Sequence, residues 1–176
     1  MKKTILTGIK PTGSPHIGNY FGAIQPALSN TKNQQSLYFI ADYHALTTVK
    51  DPKELTHSIL QVTAAWLALG LNPSETIFYR QSDIPEIFEL QWILSCFTPK
   101  GLLNRAHAYK AAISENEAKK IRDIDKGINM GLFNYPILMA ADILMFKADS
   151  VPVGQDQKQH IEMTRDIALK FNHQYG

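Results

Sequence analysis

The sequence predicts an α/β fold, a doubly wound parallel sheet with helices on both faces. Three observations carry that reading. Short β-prone runs alternate with stretches of helical apolar period, the mark of β–α–β units. The chain has 176 residues, one domain's worth, and is 44% hydrophobic and 19% charged, which suits a real core and argues against disorder. Its single cysteine, Cys96, excludes an internal disulfide framework and a metal site built on paired cysteines. No apolar run approaches the ~18–20 residues of a membrane span, and no signal-peptide core is present, so a reducing, cytoplasmic location is expected. A formal charge of +2 neither advertises nor excludes nucleic acid.

Thr4–Thr7 reads as the first strand, ended by Gly8, whose freedom lets the backbone bend. Residues 8–15, rich in Gly and Pro, form a loop. From Ile17 a helix is expected, with Ile17, Tyr20, Phe21, Ile24 and Leu28 on one face; Pro26 removes a bond to the Gly22 carbonyl and kinks or shortens it. After a polar stretch at 29–36, Leu37–Ile40 is the second strand. Asp51 and Pro52 open a helix in which Leu55, Ile59, Val62, Trp66 and Leu69 recur until Gly70 stops it. Thr76–Tyr79 is the third strand. Helices follow at 85–97, with Cys96 packed inside, and at 99–111. The charged run 114–126 is expected to be mobile. An apolar helix covers about 131–146, and Val151–Val153 is the last strand. Asp156 begins the final helix, whose Ile161, Thr164, Ala168 and Phe171 face inward. His57 and His173 fall in polar surroundings and are expected to be exposed.

In such sheets ligands bind beyond the carboxyl ends of the strands, near a switch in strand order. The first loop of that kind ends in His16-Ile17-Gly18-Asn19. An imidazole at a helix start can donate to a phosphate, and Gly18 leaves a flat surface for a purine. The same residues also read as an ordinary Gly/Pro connection, and they match neither the Walker nor the Rossmann glycine pattern.

Asp142 sits inside Ile-Leu-Met-Ala-Ala-Asp-Ile-Leu-Met-Phe, a costly place for an acid without a partner. Tyr135, Met139 and Asp142 stand at i, i+4 and i+7 and share one helix face. An aromatic, a thioether and one acceptor suit an indole, which has a single N–H to be met. A pairing of Asp142 with a nearby Arg or Lys is the alternative. Leu6, Val151 and Val153 are further apolar walls or simply sheet core. Asp156 reads as the N-cap of the final helix.

The run from Gly8 to Tyr20 resembles the His-Ile-Gly-His signature of class I aminoacyl-tRNA synthetases, in the tryptophanyl form whose last His is Asn. Tyr135 to Leu144 and Val151 to His160 resemble that family's next two blocks, in its order and spacing, and the resemblance covers essentially all of residues 1–176. It implies a Rossmann-like catalytic domain that activates tryptophan with ATP and passes it to tRNA(Trp). Residue by residue, it implies His16 and Asn19 as catalytic groups on the phosphates. Lys10, Pro11, Thr12, Gly18, Asn19, Gly154, Gln155 and Asp156 would bind ATP, with Asp156 on the ribose. Asp142, Met139, Tyr135, Gln157 and His44 would bind tryptophan, with Asp142 accepting from the indole and Gln157 meeting the amine or carboxylate. His44 reads equally as a satisfied structural histidine. Gln155 stands where many relatives carry Glu.

The resemblance further implies Mg²⁺ carried by ATP and no protein-bound metal. The segment at about 99–126 corresponds to a connecting insertion that makes a dimer contact, so a homodimer is implied; Arg105, His107 and Lys110 read otherwise as a solvated face. The family's Lys-Met-Ser-Lys-Ser loop and anticodon-binding domain do not occur in this sequence. The chain is therefore expected to be the N-terminal portion of a longer enzyme, binding tryptophan but activating it poorly. Two other classes stay open: a nucleotidylyltransferase that uses the His-Ile-Gly loop without tRNA, and a non-catalytic domain that binds tryptophan or dimerises.

Overall fold

The computed structural model describes residues 2–29 and 34–176, so residues 30–33 of the polar connection expected at 29–36 lie outside the described residues. Contacts divide the chain into two compact units, Met1–Pro85 with Phe146–Gly154 and Glu86–Met145 with Gln155–Gly176.

The first unit is built on three parallel strands, β1 (Lys3–Ile9), β2 (Gln34–Ile40) and β3 (Ile77–Arg80), in spatial order β1-β2-β3. Leu6 pairs with Leu37, and Ile9 with Ile40. Gly8 is a strand residue here and not a bend. A Cβ at Gly8 would lie 2.5 Å from Phe39 Cζ, so glycine is what lets that ring lie over the strand. After β3 and the second unit's helices the chain returns to the free edge of β1. Leu6 N–H donates to Ser150 O at 3.0 Å, and the Asp149 and Ser150 N–H groups donate to Thr4 O at 2.9 and 3.2 Å. Strand order therefore reverses at β1, as in sheets that bind ligands beyond that strand end. The strand expected at Val151–Val153 does not form. Pairing shrinks to one bridge, Ile5 with Ser150, because Pro152 has no N–H to extend a ladder.

Beyond β1, α1 (Ile17–Asn19) runs into a π-helical turn (Tyr20–Ile24) and then α2 (Gln25–Ser29). In a regular helix the Pro26 ring would strike the Gly22 carbonyl. The wider turn, closed by Gln25 N–H to Tyr20 O, makes room for it. The extra residue also rotates the helix face. Ile24 is buried and Tyr20 and Leu28 pack against the core, while Ile17 and Phe21, expected inside, are exposed. α3 (Asp42–Ala45) follows β2. α4 (Pro52–Ala68) is capped by Asp51, whose carboxylate accepts from Lys53 N–H at 2.9 Å. It ends at Gly70, φ +105°, where Leu71 N–H reaches back to Trp66 O at 3.0 Å. Val62 and Trp66 of α4 pack with Ile9, Tyr38, Ile40, Ile24 and Leu71 on one face of the sheet. The other face carries a row of rings, Phe39 stacked on Tyr79 at 5.4 Å and Phe146 tilted against Tyr79 at 5.5 Å between centroids.

The second unit is helical: α5 (Glu86–Phe97), α6 (Lys100–Leu103), α7 (His107–Ala118), α8 (Met130–Met145) and α9 (Lys158–Tyr175). α8 packs against α5 and α9 and is buried over most of its second half, as a helix apolar on every side must be. Cys96 is exposed, contrary to expectation. It lies on the outward stripe of α5 with Phe88 and Trp92, while Ile87 and Leu94 point inward. The helix expected at 99–111 is two helices, parted at 104–106, where Gln159 accepts from His107 N–H at 2.9 Å and donates to Arg105 O at 3.0 Å. The run 114–126, expected to be loose, is tied down. α7 extends into it, Asn116 Nδ2 donates to the Ile124 and Lys126 carbonyls, and the Tyr109 hydroxyl donates to Asp125. Among the described residues no helix is long and apolar enough to cross a membrane.

Candidate functional site

β1 delivers the chain into the loop 10–15. Pro11 is buried beneath it, while Lys10 and Thr12 are exposed. Thr12 N–H donates to Lys10 O at 3.0 Å and Gly13 takes φ +78°, so the loop doubles back tightly. Lys10 Nζ donates to Thr47 Oγ1 at 2.9 Å, and partial burial holds the amine below the usual lysine range. His16 then caps α1. Its Nδ1 accepts from Gly18 N–H at 3.1 Å, and its own N–H donates to Asn19 Oδ1 at 2.9 Å, a reciprocal capping box.

The box fixes chemistry as well as backbone. A neutral imidazole that accepts at Nδ1 carries its proton on Nε2, and an amide whose oxygen is engaged offers its NH₂. His16 and Asn19 therefore both offer N–H donors to a ligand. Gly18 is part of the same device: a Cβ there would lie 2.9 Å from His16 Cε1, so glycine gives the ring its place.

Beyond β2, Asp42 is buried and accepts from Ser82 Oγ at 2.5 Å and from the Ser82 and Tyr43 N–H groups at 3.1 Å each. Buried Gln81 also accepts from Tyr43 N–H, at 3.2 Å. This latch joins the ends of β2 and β3 and sets half-buried His44 two residues on. The His44 carbonyl accepts from Thr47 Oγ1 at 2.8 Å, the hydroxyl that also holds Lys10. Lys10 and His44 thus meet at one sheet edge through Thr47. Leu6 does not join them; it is buried in mid-strand beside Leu37. Val151 and Val153 are half-buried and Gly154 is exposed, all outside regular secondary structure past the Ser150 bridge.

In the second unit α8 carries Tyr135 and Met139, both half-buried, and Asp142, only 1% exposed. The Tyr135 hydroxyl is 2.5 Å from His160 Nε2, and His160 Nδ1 is 3.1 Å from Gln157 Oε1. Burial first, and the Asp156 carboxylate second, push the Tyr135 phenol up to about 12. Gln155, Asp156 and Gln157 form a 3-10 turn before α9. Asp156 is exposed and is not the N-cap. That position falls to Gln157, which makes no side-chain cap, and Asp156 accepts from Gln157 Nε2 at 2.8 Å instead. The buried stripe of α9 is His160, Met163, Thr164 and Ile167; of the residues expected to face inward, Thr164 is buried and Ile161, Ala168 and Phe171 are half-buried. The count passed over His160, whose ring is buried because both nitrogens have partners. Its signal was positional: a polar ring three residues before Met163 on the inward face. His57 and His173 are exposed. Among the described residues no group of three or more His, Cys, Asp or Glu side chains is placed to hold a metal ion.

The model of the family described as tRNA synthetases class I (W and Y) matches residues 2–175. The chain is 58% identical over 178 residues to the tryptophan–tRNA ligase of Bordetella pertussis, covering 100% of this chain and 39% of that protein. It is 56% identical over 176 residues to the corresponding ligase of Neisseria meningitidis serogroup A, covering 99% of this chain and 52% of that protein. The crystal structure of tryptophanyl-tRNA synthetase from Campylobacter jejuni complexed with ADP and tryptophan is similar at TM-score 0.87 and 49% identity, covering 98% of this chain and 51% of that one. The chain spans about half or less of the length of these relatives. Its parallel sheet with strand order reversed at β1, its capped His16-Ile17-Gly18-Asn19 turn and a family match from end to end lead to one assignment: the chain belongs to the class I tRNA synthetases of the tryptophan and tyrosine family.

Proposed function

We propose that the chain is the amino-acid-activating part of a tryptophan–tRNA ligase. Tryptophan's carboxylate oxygen attacks the α-phosphorus of ATP, the bond to the bridging oxygen breaks, and pyrophosphate leaves with its Mg²⁺. The protein contributes placement and charge stabilisation, with no covalent intermediate. The capping box carries this reading, because it leaves His16 Nε2–H and the Asn19 amide as donors for phosphoryl oxygens. Lys10 and Thr12 line the same loop, with Pro11 supporting it from below, and Gly18 seats the adenine. Asp156 meets the ribose, Gly154 lets the backbone approach the nucleotide, and Gln155 lines the ATP site.

Tryptophan is received by Tyr135 and Met139, with Asp142 accepting the indole N–H, and by Gln157 and His44. Leu6, Val151 and Val153 support apolar walls. Supporting the choice of amino acid are the ligases of Bordetella and Neisseria and the Campylobacter relative, which holds ADP and tryptophan. Transfer to tRNA(Trp), a homodimer built through 99–126 and work in the cytoplasm are proposed for the whole enzyme. Calorimetric titration with tryptophan, tyrosine and ATP is the test. Tryptophan is expected to bind far more tightly than tyrosine, a preference that Asp142→Ala abolishes. Tighter binding of tyrosine would overturn the reading.

A further inference from the structure

The second unit holds four side chains in line, of which the proposed reaction employs three and leaves His160 without a task. Tyr135 Oη is 2.5 Å from His160 Nε2, His160 Nδ1 is 3.1 Å from Gln157 Oε1, and Gln157 Nε2 is 2.8 Å from Asp156 Oδ2. Chemistry sets the direction of every hydrogen. Gln157 donates its amide to the Asp156 carboxylate, so its oxygen faces the imidazole. An amide oxygen only accepts, so His160 Nδ1 holds the ring proton. If the ring is neutral, it accepts at Nε2 and the Tyr135 hydroxyl donates. The chain is polarised from phenol to carboxylate. His160 is 1% exposed, and the rings of Tyr135 and His160 lie 4.9 Å apart between centroids, so neither has room to turn freely. A phenol held well above its ordinary pKa keeps the proton that this direction requires.

We infer that His160 is a positioning residue of the amino-acid site. It draws the Tyr135 proton inward, which leaves the phenol oxygen as an acceptor for the ammonium group of the substrate. It also holds the Gln157 amide against Asp156, so the residue proposed to meet tryptophan and the one proposed to meet ribose are set by a single ring. The inference rests on the reading of Tyr135 and Gln157 as tryptophan contacts.

Calorimetry on this chain tests it. His160→Phe keeps the ring's bulk and removes both bonds. The tryptophan Kd is expected to rise about ten-fold, the worth of one hydrogen bond, while the Kd for ATP alone moves by less than about two-fold. His160→Gln, whose amide oxygen reaches the Nε2 position, is expected to recover most of the affinity; His160→Asn, which restores only the donor toward Gln157, recovers less. In a double-mutant cycle, adding His160→Phe to Tyr135→Phe should cost little more than Tyr135→Phe alone.

Additive losses, or an equal loss of ATP affinity, would overturn the positioning role in favour of general packing. A His160→Phe chain that binds tryptophan like the parent would overturn it as well. A parent chain that binds no tryptophan would instead overturn the proposed function. Whatever the variants do on folding, a long-range ¹H–¹⁵N correlation of the parent's imidazoles decides the polarity: His160 is expected as the Nδ1–H tautomer, and an Nε2–H tautomer refutes the inference.

Discussion

Replacing Gly18 by alanine attacks the capping box at its tightest point. The new Cβ would lie 2.9 Å from His16 Cε1 and 3.0 Å from His16 Nδ1. Carbon atoms rest about 3.5–4.0 Å apart, so the ring must retreat by roughly half an ångström or more. The Gly18 N–H to Nδ1 bond is already 3.1 Å long. Ordinary N–H bonds end near ~3.2 Å, so that retreat breaks it. Losing an N-cap costs about 1 kcal/mol, which for a domain of this size lowers Tm by roughly 2–4 °C. The chemical loss is larger, because Nε2–H leaves with the ring, and a misplaced donor costs on the order of 100-fold in turnover.

The assay is ATP–pyrophosphate exchange at saturating tryptophan, read as kcat and KM for ATP relative to the parent chain, with thermal unfolding alongside. Gly22→Ala is the control, since nothing lies within 4 Å of a Cβ there. A fall in kcat for Gly18→Ala alone is expected. Unchanged kcat with a raised KM for ATP would refute the reasoning and leave Gly18 as an adenine seat only, and an equal fall in Gly22→Ala would refute it too.

Gly8→Ala places a methyl 2.5 Å from Phe39 Cζ and 2.7 Å from Cε1, an overpacking that costs ~1–3 kcal/mol and lowers the urea midpoint. Adding Phe39→Leu should recover part of that loss. Asp42→Ala strips Ser82 and Tyr43 of a buried acceptor and should cost ~1–3 kcal/mol in urea unfolding; a change inside experimental error would mean that the latch does not hold β2 to β3. Tyr135 has its pKa raised from 10.0 to about 12, so the folded state keeps a proton that the unfolded chain gives up. Its contribution is whole below about pH 10 and is lost as pH climbs toward about 12, and Tyr135→Phe should flatten that limb of the stability profile.

What the sequence announces reliably is what neighbouring residues decide. Asp51, Pro52 and Gly70 mark both ends of α4, and the cap, first turn and left-handed stop sit on those residues. The β-prone runs place β1, β2 and β3, and they also announce a strand at Val151–Val153 that Pro152 keeps from forming. Where a distant partner decides, the reading slips. The break at 104–106 is held by Gln159, 52 and 54 residues away. The run 114–126 has the composition of a loose segment, and Asn116 closes it with two bonds that no charge count reveals. An inserted residue turns the face of α1 and α2 away from the counted one: period counting assumes a uniform helix, and the π turn before Pro26 is not one.

The same division runs through the candidate site, and it follows from what each half must do. Breaking and making bonds at the α-phosphorus is the same task for tryptophan and for tyrosine, so a family serving both can use one phosphate device. The device proposed for it is local: the His16–Asn19 box closes within four residues and is legible in four letters. Choosing the amino acid is a different problem. It needs a polar atom held where water cannot stand in for the right partner, because only then does a ligand without the matching donor leave a desolvated group behind. Such a place exists only in a packed interior, and the acid proposed to do the choosing, Asp142, lies 1% exposed on the apolar helix α8. Its residue type is plain in the sequence, but the burial on which the proposed discrimination depends is not. By the same logic a variant that loosens α8 should lose selectivity before it loses phosphoryl chemistry.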